Sequence, residues 1–374
     1  MKKMKLLLTL AIVTAFMAGC GGSDEDETPT PAPVQTVSPT PEPEPTPEPT
    51  PVPEPTVDPH EGQALSKLTG EYIPEKKANR RPYAMMINNI EYAARFQSGV
   101  SQAAILYEAK VEGGITRLMA IFEDISKLSK IGSARSARHY YVSVADEYDA
   151  IYVHFGHTKF ATAKIAKLGV DNISGLSGVG GKVFYRDNSI SAPHNAFTSE
   201  KGLLEGRKTL KYRKNYKDGF EGHFKFYEAD TDLQSEKIAN KVTVKFSGYA
   251  SPYFIYNADD KVYYRHQYGK EHMDVAKNKQ LSFKNLIIQK VDDEPIVPGH
   301  RKDYRTINFE KATGKGWYIT NGKAIKITWK KNESKGFMKY YHEDGTELVI
   351  NPGKTYVALF PDEDSKLTIS DKKK

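Results

Sequence analysis

Apolar and polar residues are distributed in blocks along the chain, and the blocks divide it into five parts. Residues 1–20 hold a continuous apolar stretch, and residues 21–62 are dominated by Pro, Thr and Glu. Over residues 63–235, short apolar runs alternate with segments of helical spacing, whereas runs of period two prevail over 236–362. A charged tail, 363–374, ends the chain. This pattern predicts two folded domains that follow a leader and a linker.

The first folded part combines strand-like and helix-like segments. We expect strands at 83–88, 104–111, 115–122, 149–155 and 182–186, and helices at 137–148, at 158–168 and from Ser199 onward. The predicted fold is an α/β N-terminal domain, a mixed sheet with flanking helices. In the second part, Asn321-Gly322 and Asp344-Gly345 favour hairpin turns. We predict a β-rich C-terminal domain there, whose aromatic residues either fill the core or line a glycan groove.

A pair of glycines at 113 and 114 separates two of the predicted strands. A two-residue turn there would place Glu108 opposite Met119, with Glu108, Glu112 and Arg117 on one face of the hairpin. Two interpretations stay open. The face is either a solvated surface with ordinary cross-strand pairs, or a charged cleft in which Arg117 holds an anion and one glutamate accepts a proton.

Two arginines lie at the predicted start of the helix at 137–148. With Ser133 or Ser136 as the N-cap, Arg135 and Arg138 fall next to the partially positive helix N-terminus, where cations are disfavoured. Arginines in such a place need a partner. That partner is either a nearby carboxylate or a bound phosphate or carboxylate ligand, since free backbone N–H groups also point there.

Two histidines lie at or beside predicted strand ends, His154 in the last residues of the strand at 149–155 and His194 in the loop after the strand at 182–186, where α/β proteins keep their sites. His154 and His194 are therefore candidate catalytic residues beside Glu108 and Glu112, although a single histidine is more often structural. His154 and His157 would point to opposite faces of a strand, so the sequence predicts no metal site. The glycines before Lys182 lack the spacing of a P-loop, and no dinucleotide-binding pattern is present, so no cofactor is predicted.

The N-terminus has the layout of an exported lipoprotein. Lysines at 2, 3 and 5 precede an apolar stretch that is too short to span a bilayer, and Ala18-Gly19 precede Cys20. This resembles the bacterial lipobox, which implies that Cys20 is diacylated and anchors the chain at the extracytoplasmic face of the cell membrane. The alternative is an ordinary cleaved signal peptide. Cys20 is the only cysteine, so no disulfide can form within one chain.

Charge is divided unevenly between the linker and the rest of the chain. The first 60 residues carry three lysines and nine acidic residues, whereas the whole chain has 54 basic and 47 acidic residues, so the remainder has a net charge of +13. A basic exported protein is attracted to anionic wall polymers or lipid headgroups. Nucleic acid is not an expected partner in that compartment. Alternatively, the charge serves solubility alone.

Several segments carry a family resemblance. RPYAMMINN, GSARSARHYY, DAIYVHFG and APHNAFTS resemble the N-terminal domain of YerB-like lipoproteins, and GKGWYITNGKAIKITWKK and INPGKTYVALFP resemble their C-terminal domain. The resemblance implies a two-domain surface lipoprotein with no established chemistry. It also adds Asn89 and Asn195 to the candidate ligand-binding residues Arg117, Arg135 and Arg138.

The sequence thus favours a membrane-anchored extracytoplasmic lipoprotein whose N-terminal domain binds an anionic envelope ligand, a wall polymer or a lipid-linked phosphate. Two alternatives remain: an enzyme of the phosphoryl-transfer type that acts on lipid-linked wall precursors, and a non-catalytic scaffold for envelope proteins. A looser analogy to the LytR–CpsA–Psr phosphotransferases motivates the enzyme. The sequence leaves the oligomeric state open.

Overall fold

One sheet of 11 strands organises the fold. The computed structural model describes residues 59–296, 305–333, 335–361 and 365–373. The predicted signal peptide with Cys20, and the predicted linker apart from residues 59–62, lie outside the described residues. Val57–Lys374 form one compact unit.

The helices are short and few. They are α1 (Glu75–Ala78), α2 (Glu91–Ala94), α3 (His139–Glu147), α4 (Lys159–Leu168), α5 (Gly180–Val183) and α6 (Glu200–Thr209). Thr158 caps the start of α4 by accepting a hydrogen bond from the Ala161 N–H, and Gly169 ends the helix with a φ of 71°. No helix in the described ranges is both long enough and apolar enough to span a membrane.

Strands make up most of the regular structure. They are β1 (Gln63–Leu65), β2 (Tyr72–Pro74), β3 (Tyr83–Asn88), β4 (Ile105–Lys110), β5 (Thr116–Phe122), β6 (Ile131–Gly132), β7 (Ile151–His154), β8 (Asn172–Ser174), β9 (Tyr185–Arg186), β10 (Ala196–Thr198), β11 (Lys225–Phe226), β12 (Lys241–Lys245), β13 (Tyr253–Asn257), β14 (Val262–Gln267), β15 (Lys270–Glu271), β16 (Met273–Asp274), β17 (Lys279–Gln280), β18 (Ser282–Phe283), β19 (Asn285–Pro295), β20 (Arg305–Asn308), β21 (Ala312–Thr320), β22 (Lys323–Lys331), β23 (Lys339–Tyr341), β24 (Val349–Ile350), β25 (Thr355–Pro361) and β26 (Lys366–Ser370).

The main sheet contains strands from both predicted domains. Its order is β23-β22-β21-β19-β25-β4-β5-β3-β7-β8, with β20 paired to β19. The junction is the parallel pair of β25 with β4, in which Thr355 lies opposite Ile105 and Leu359 opposite Ala109. The predicted fold class, a mixed sheet with helices followed by a β-rich part, is confirmed. The two parts nevertheless share one sheet.

Hydrophobic residues cover the main sheet on both faces. On one face, Leu106, Leu118 and Ile288 belong to a core that also contains side chains of the second sheet, whose strands run in the order β15-β14-β13-β12-β26. On the other face, Met86 and Met119 pack in a core with the apolar side of α3. Because both faces are covered, the central strand β3 is buried at every position, which explains its continuous apolar sequence.

Three local features differ from the predictions. Helix α3 begins at His139, and its N-cap is Arg138 rather than Ser133 or Ser136, because residues 134–137 run as extended chain beside β3. Part of the predicted strand at 182–186 is helical, in α5, and only β9 remains extended. Strand β26 lies inside the predicted charged tail and pairs with β12, since its alternating Leu367 and Ile369 pack onto the core.

The largest difference is the register of the β4–β5 hairpin. Glu108 lies opposite Leu118, not Met119, because the turn contains the three residues Glu112–Gly114. Both glycines have positive φ, 70° and 72°, which a longer turn of this kind requires. A shift of one residue moves a strand's side chains to the opposite face. Glu108 and Arg117 therefore project from opposite faces of the sheet, and the predicted shared charged face does not exist.

Candidate functional site

The site lies where two parallel strands separate. β3 and β7 pair from Tyr83 to Met85, and beyond this point residues 134–137 fill the gap between them. The Arg135 N–H donates to the Met86 carbonyl, and the Phe155 N–H donates to the Arg135 carbonyl, both at 3.0 Å. Helix α3 starts directly after this segment. In open α/β sheets, a crevice at the carboxyl ends of diverging strands is the usual place for a ligand.

Three arginines converge at this point. The Arg117 Nη1 donates to the Ser136 carbonyl at 2.7 Å, and the Arg138 Nη1 approaches the same oxygen at 3.4 Å. Arg138 also grips Glu112 in a bidentate pair, with Nε at 2.5 Å from Oε1 and Nη2 bonded to Oε2. We call Arg117, Arg135 and Arg138 the arginine cluster.

The electrostatics show that the cluster is crowded with positive charge. Burial, together with the charges of Arg138 and Arg135, lowers the pKa of Arg117 to about 10, against the opposing effect of Glu112. Burial and Arg138 also lower the pKa of Arg135. Burial opposes the charge on Arg138, but its hydrogen bonds to Glu112 raise its pKa overall. The Glu112 carboxylate thus pairs with Arg138, and its negative charge also acts on Arg117 and Arg135.

Arg135 and His194 form the outer part of the site. The Nη1 of Arg135 lies 3.5 Å from the Pro193 carbonyl, and its Nε is buried without a hydrogen bond. The amide nitrogen of Asn88 donates to the Nδ1 of His194 at 2.8 Å. Burial and Arg135 lower the pKa of His194, so the ring is neutral at pH 7 and carries its proton on Nε2. This leaves a donor, not a base, beside Arg135.

Glu108 and Asn89, two of the predicted site residues, lie on the opposite face of the sheet. The Glu108 Oε1 accepts from Asn89 Nδ2 at 3.1 Å and from the Thr116 hydroxyl at 2.6 Å. Its Oε2 accepts from Arg265 Nη2 at 2.7 Å and from the Tyr356 hydroxyl at 2.8 Å. The carboxylate and the guanidinium group are both fully buried. Glu108 therefore holds β4, β14 and β25 together and does not face the arginine cluster.

The buried ion pair belongs to a closed ring of hydrogen bonds. Arg265 Nη1 contacts His272 Nδ1, His272 Nε2 lies 2.5 Å from Gln97 Oε1, and Gln97 Nε2 donates to Asn89 Oδ1 at 3.2 Å. Asn89 then donates to Glu108, which closes the ring. Burial lowers the pKa of His272 well below its usual value, so its imidazole is neutral. The charged groups of the hydrogen-bonded network are then the ion pair of Arg265 and Glu108.

Two further predicted residues have structural partners. His154 is buried, and its ring nitrogens contact the Gly156 carbonyl at 2.8 Å and Asn172 Oδ1 at 3.2 Å. The Oδ1 of Asn195 accepts from Arg186 Nη1 at 2.7 Å. The structure thus brings together Arg117, Arg135, Arg138, Glu112 and His194. It places Glu108 and Asn89 on the other face of the sheet and gives His154 and Asn195 partners outside the arginine cluster.

Arg265 and His272 are central to the buried network, and sequence reasoning missed them. A signal was present in β14, where Tyr263, Arg265 and Gln267 alternate with more exposed residues and are buried. An arginine at an inward position of such a strand requires a buried acceptor. Among the described residues, no group of three or more His, Cys, Asp or Glu side chains has an arrangement that could hold a metal ion.

Comparison with known proteins identifies relatives along most of the chain. Residues 68–213 match the N-terminal domain, and residues 242–357 the C-terminal domain, of the family described as Protein of unknown function (DUF3048). The Bacillus subtilis (strain 168) protein named "Putative lipoprotein YerB" is 31% identical over 301 residues, which cover 80% of this chain and 86% of that protein. The crystal structure of YerB from Bacillus subtilis matches with a TM-score of 0.71 and 28% identity, covering 82% of this chain and 99% of that one.

Proposed function

The chain belongs to the DUF3048 family, and from this premise we propose that it is a lipid-anchored extracytoplasmic protein whose arginine cluster binds a phosphate group of the cell envelope. The lipoprotein name of its relative and the lipobox-like sequence around Cys20 support the anchor. Replacing Cys20 by serine should move the protein from the membrane fraction to the soluble fraction. Retention of the Cys20→Ser protein in membranes would argue against the anchor.

One observation carries the binding proposal: three guanidinium groups meet around one carboxylate. Arg117 and Arg138 approach the same carbonyl of Ser136, and Arg135 is close enough to lower the pKa of Arg117. Guanidinium groups bind phosphate and carboxylate through paired N–H donors in a fixed plane. The start of the nine-residue helix α3 adds free backbone N–H groups and a partial positive charge. Both favour an anion at this place.

Glu112 occupies the donors that such an anion would use. Its carboxylate pairs with Nε and Nη2 of Arg138 as a phosphate would, and it holds the guanidinium group in position. Burial alone would raise the pKa of Glu112, but the hydrogen bonds and charge of Arg138 lower it. A carboxylate with a lowered pKa is a weak base, and Glu108 lies on the other face of the sheet. The geometry therefore supports binding better than proton transfer.

The test is a binding measurement on paired variants. Isothermal titration calorimetry would use glycerol phosphate oligomers, undecaprenyl phosphate in detergent micelles, and polygalacturonate as a carboxylate polymer. We expect phosphate probes to bind, and the Arg135→Gln/Arg138→Gln variant to lose at least about tenfold in affinity, which corresponds to about 1.4 kcal/mol. Binding should weaken with added salt.

A control separates the site from the general charge of the protein. Lys182 is exposed and lies outside the cluster, so Lys182→Gln removes one positive charge without touching it. Its affinity should remain that of the unmodified protein. An equal loss of affinity in the control and in the cluster variant would show that binding depends only on net charge. Unchanged affinity in the cluster variant would show that the arginine cluster is not the binding site. Tighter binding of polygalacturonate than of the phosphate probes would show that the site prefers carboxylate to phosphate.

A second variant tests whether Glu112 competes with the ligand. Glu112→Gln keeps the side-chain shape but removes the negative charge that neutralises Arg138. We expect several-fold tighter phosphate binding and a steeper dependence on salt. If Glu112→Gln binds more weakly, the carboxylate positions the arginine and does not compete with the anion.

A further inference from the structure

A cavity lies next to the buried ion pair, on the face of the main sheet opposite to the arginine cluster. It has a volume of about 250 Å³ and lies between helix α2 and the β14–β15 hairpin. Helix α2 belongs to the segment that matches the N-terminal family model, and the hairpin to the segment that matches the C-terminal one. Both family domains therefore contribute to its walls. Ligand sites are common at such boundaries.

Gln267, in the wall of this cavity, is the unusual residue. Gln267 is 4% exposed, yet among the described residues no group lies in normal hydrogen-bond geometry to its amide oxygen or its amide nitrogen. The Tyr268 hydroxyl donates to the Asn89 carbonyl at 2.6 Å, and its oxygen lies beside the Gln267 amide as a distant acceptor for one of the two N–H groups; the second N–H and the amide oxygen have no such neighbour. An unpaired buried amide costs about 1–3 kcal/mol, and a folded protein rarely contains one without a reason.

Two other polar side chains of the wall, those of His272 and Tyr268, already have partners. His272 uses both ring nitrogens, with Arg265 and with Gln97, so it does not compete for a ligand. The same hydrogen bonds hold the wall rigid. The Gln267 amide is therefore the inner-wall group that has both a donor and an acceptor to offer. A partner that presents one donor and one acceptor side by side would satisfy it, and an amide group does this.

The remaining surface of the cavity defines the rest of the ligand. Ala94, Met273 and Val275 supply an apolar wall. The mouth carries two acidic and two basic side chains and therefore has no net charge; they are Glu91, Glu271, Arg95 and Lys270. Since ligand pockets usually measure about 300–1,000 Å³, this cavity suits a small ligand. An uncharged group with a short apolar side chain fits these walls better than an anion does.

We propose that this cavity binds a short peptide segment of one or two small residues, with a peptide amide paired to the Gln267 carboxamide. A small apolar side chain of the peptide lies against Ala94 and Met273. The site is independent of the arginine cluster, because its residues lie beside Asn89 and Arg265 on the other face of the main sheet. The protein then has two binding sites, one for an anion and one for an uncharged peptide.

Two buried glutamines make a matched test of stability. Gln267→Leu removes an amide that no protein group satisfies, so the melting temperature should stay constant or rise. Gln289 is also buried in a strand, but its Oε1 accepts from the Tyr340 hydroxyl at 2.9 Å, so Gln289→Leu should lower the melting temperature. If Gln267→Leu destabilises the protein as much as Gln289→Leu does, the amide is satisfied in the unliganded protein and the proposal fails.

Binding is tested by calorimetry with N-acetyl-Ala-Ala-amide as the probe. We expect binding to the unmodified protein and to the Gln289→Leu variant, and at least a tenfold loss of affinity in Gln267→Leu. The Arg135→Gln/Arg138→Gln variant should bind the peptide with unchanged affinity. Peptide binding can therefore be tested independently of whether the arginine cluster binds an anion. Failure of the unmodified protein to bind the peptide, equal binding by Gln267→Leu, or a preference of this cavity for inorganic phosphate would each overturn the proposal.

Discussion

The buried pair of Glu108 and Arg265 gives the sharpest test of how the two halves of the chain are joined. Glu108→Gln keeps the size of the side chain but removes its charge, so Arg265 loses its counter-ion while it remains fully buried. A glutamine also has only one acceptor oxygen, so two of the four donors that now reach the carboxylate lose their acceptor. Breaking a buried pair in this way typically costs about 3–5 kcal/mol.

Urea unfolding at pH 7, followed by circular dichroism, measures this cost as a change in the free energy of unfolding. We expect a loss of about 3–5 kcal/mol for Glu108→Gln and a similar loss for Arg265→Met. The double variant should lose clearly less than the sum of the two, because it leaves no unpaired charge. Glu91→Gln is the control, since this exposed side chain lies 3.9 Å from Arg95 and its pair contributes at most about 1 kcal/mol.

A cost of less than about 1 kcal/mol for Glu108→Gln, or simple addition of the two single effects in the double variant, would show that Glu108 and Arg265 are not a coupled buried pair. Phosphate affinity gives a second check. It should be unchanged in a folded Glu108→Gln protein, because Glu108 and the arginine cluster occupy opposite faces of the sheet. A large change in phosphate affinity without a change in stability would show that Glu108 does take part in phosphate binding.

Two further predictions concern pH and backbone packing. Burial raises the pKa of Glu123 from 4.5 to about 7, so its contribution to stability is present below pH 4.5 and is lost as the pH rises through 7. Glu123→Gln should therefore raise the melting temperature more at pH 8 than at pH 5, and equal shifts would contradict this. A methyl group on Gly316 would lie 2.5 Å from the Ile288 carbonyl, so Gly316→Ala should destabilise by about 1–3 kcal/mol. Gly248→Ala, which meets no atom within 4 Å, should be nearly neutral in the same urea titration.

Local sequence signals predicted most of the strands and helices. Strand β3 was expected at the residues where it occurs, because five apolar residues precede its last residue, Asn88. Asn321-Gly322 forms the expected two-residue turn, with Thr320 opposite Lys323 and positive φ at both turn residues. The start of α6 follows Ser199, whose hydroxyl accepts from the Gly202 N–H. Each of these features depends on a few neighbouring residues.

The site was only half predictable, because its geometry depends on turn length. Gly113-Gly114 is compatible with a two-residue or a three-residue turn, and the difference decides whether Glu108 and Arg117 share a face. The two arginines at the helix start were recognised from charge alone, and the partner of Arg138 proved to be Glu112, whereas Arg135 lies near the Pro193 carbonyl. The pair of Glu108 with Arg265 joins residues 157 positions apart, and no local pattern reports such a contact.

The parallel pairing of β25 with β4 has a consequence for the order in which the protein can fold. A ribosome releases β4 about 250 residues before its neighbour β25, and a chain exported from its N-terminus would deliver the strands in the same order. Until residues 355–361 arrive, one side of β4 lacks its partner and exposes unpaired backbone groups, which invite pairing with other chains. Completion of the N-terminal half thus waits for the end of the chain, so a truncation before Thr355 should leave both halves prone to aggregate rather than one half folded.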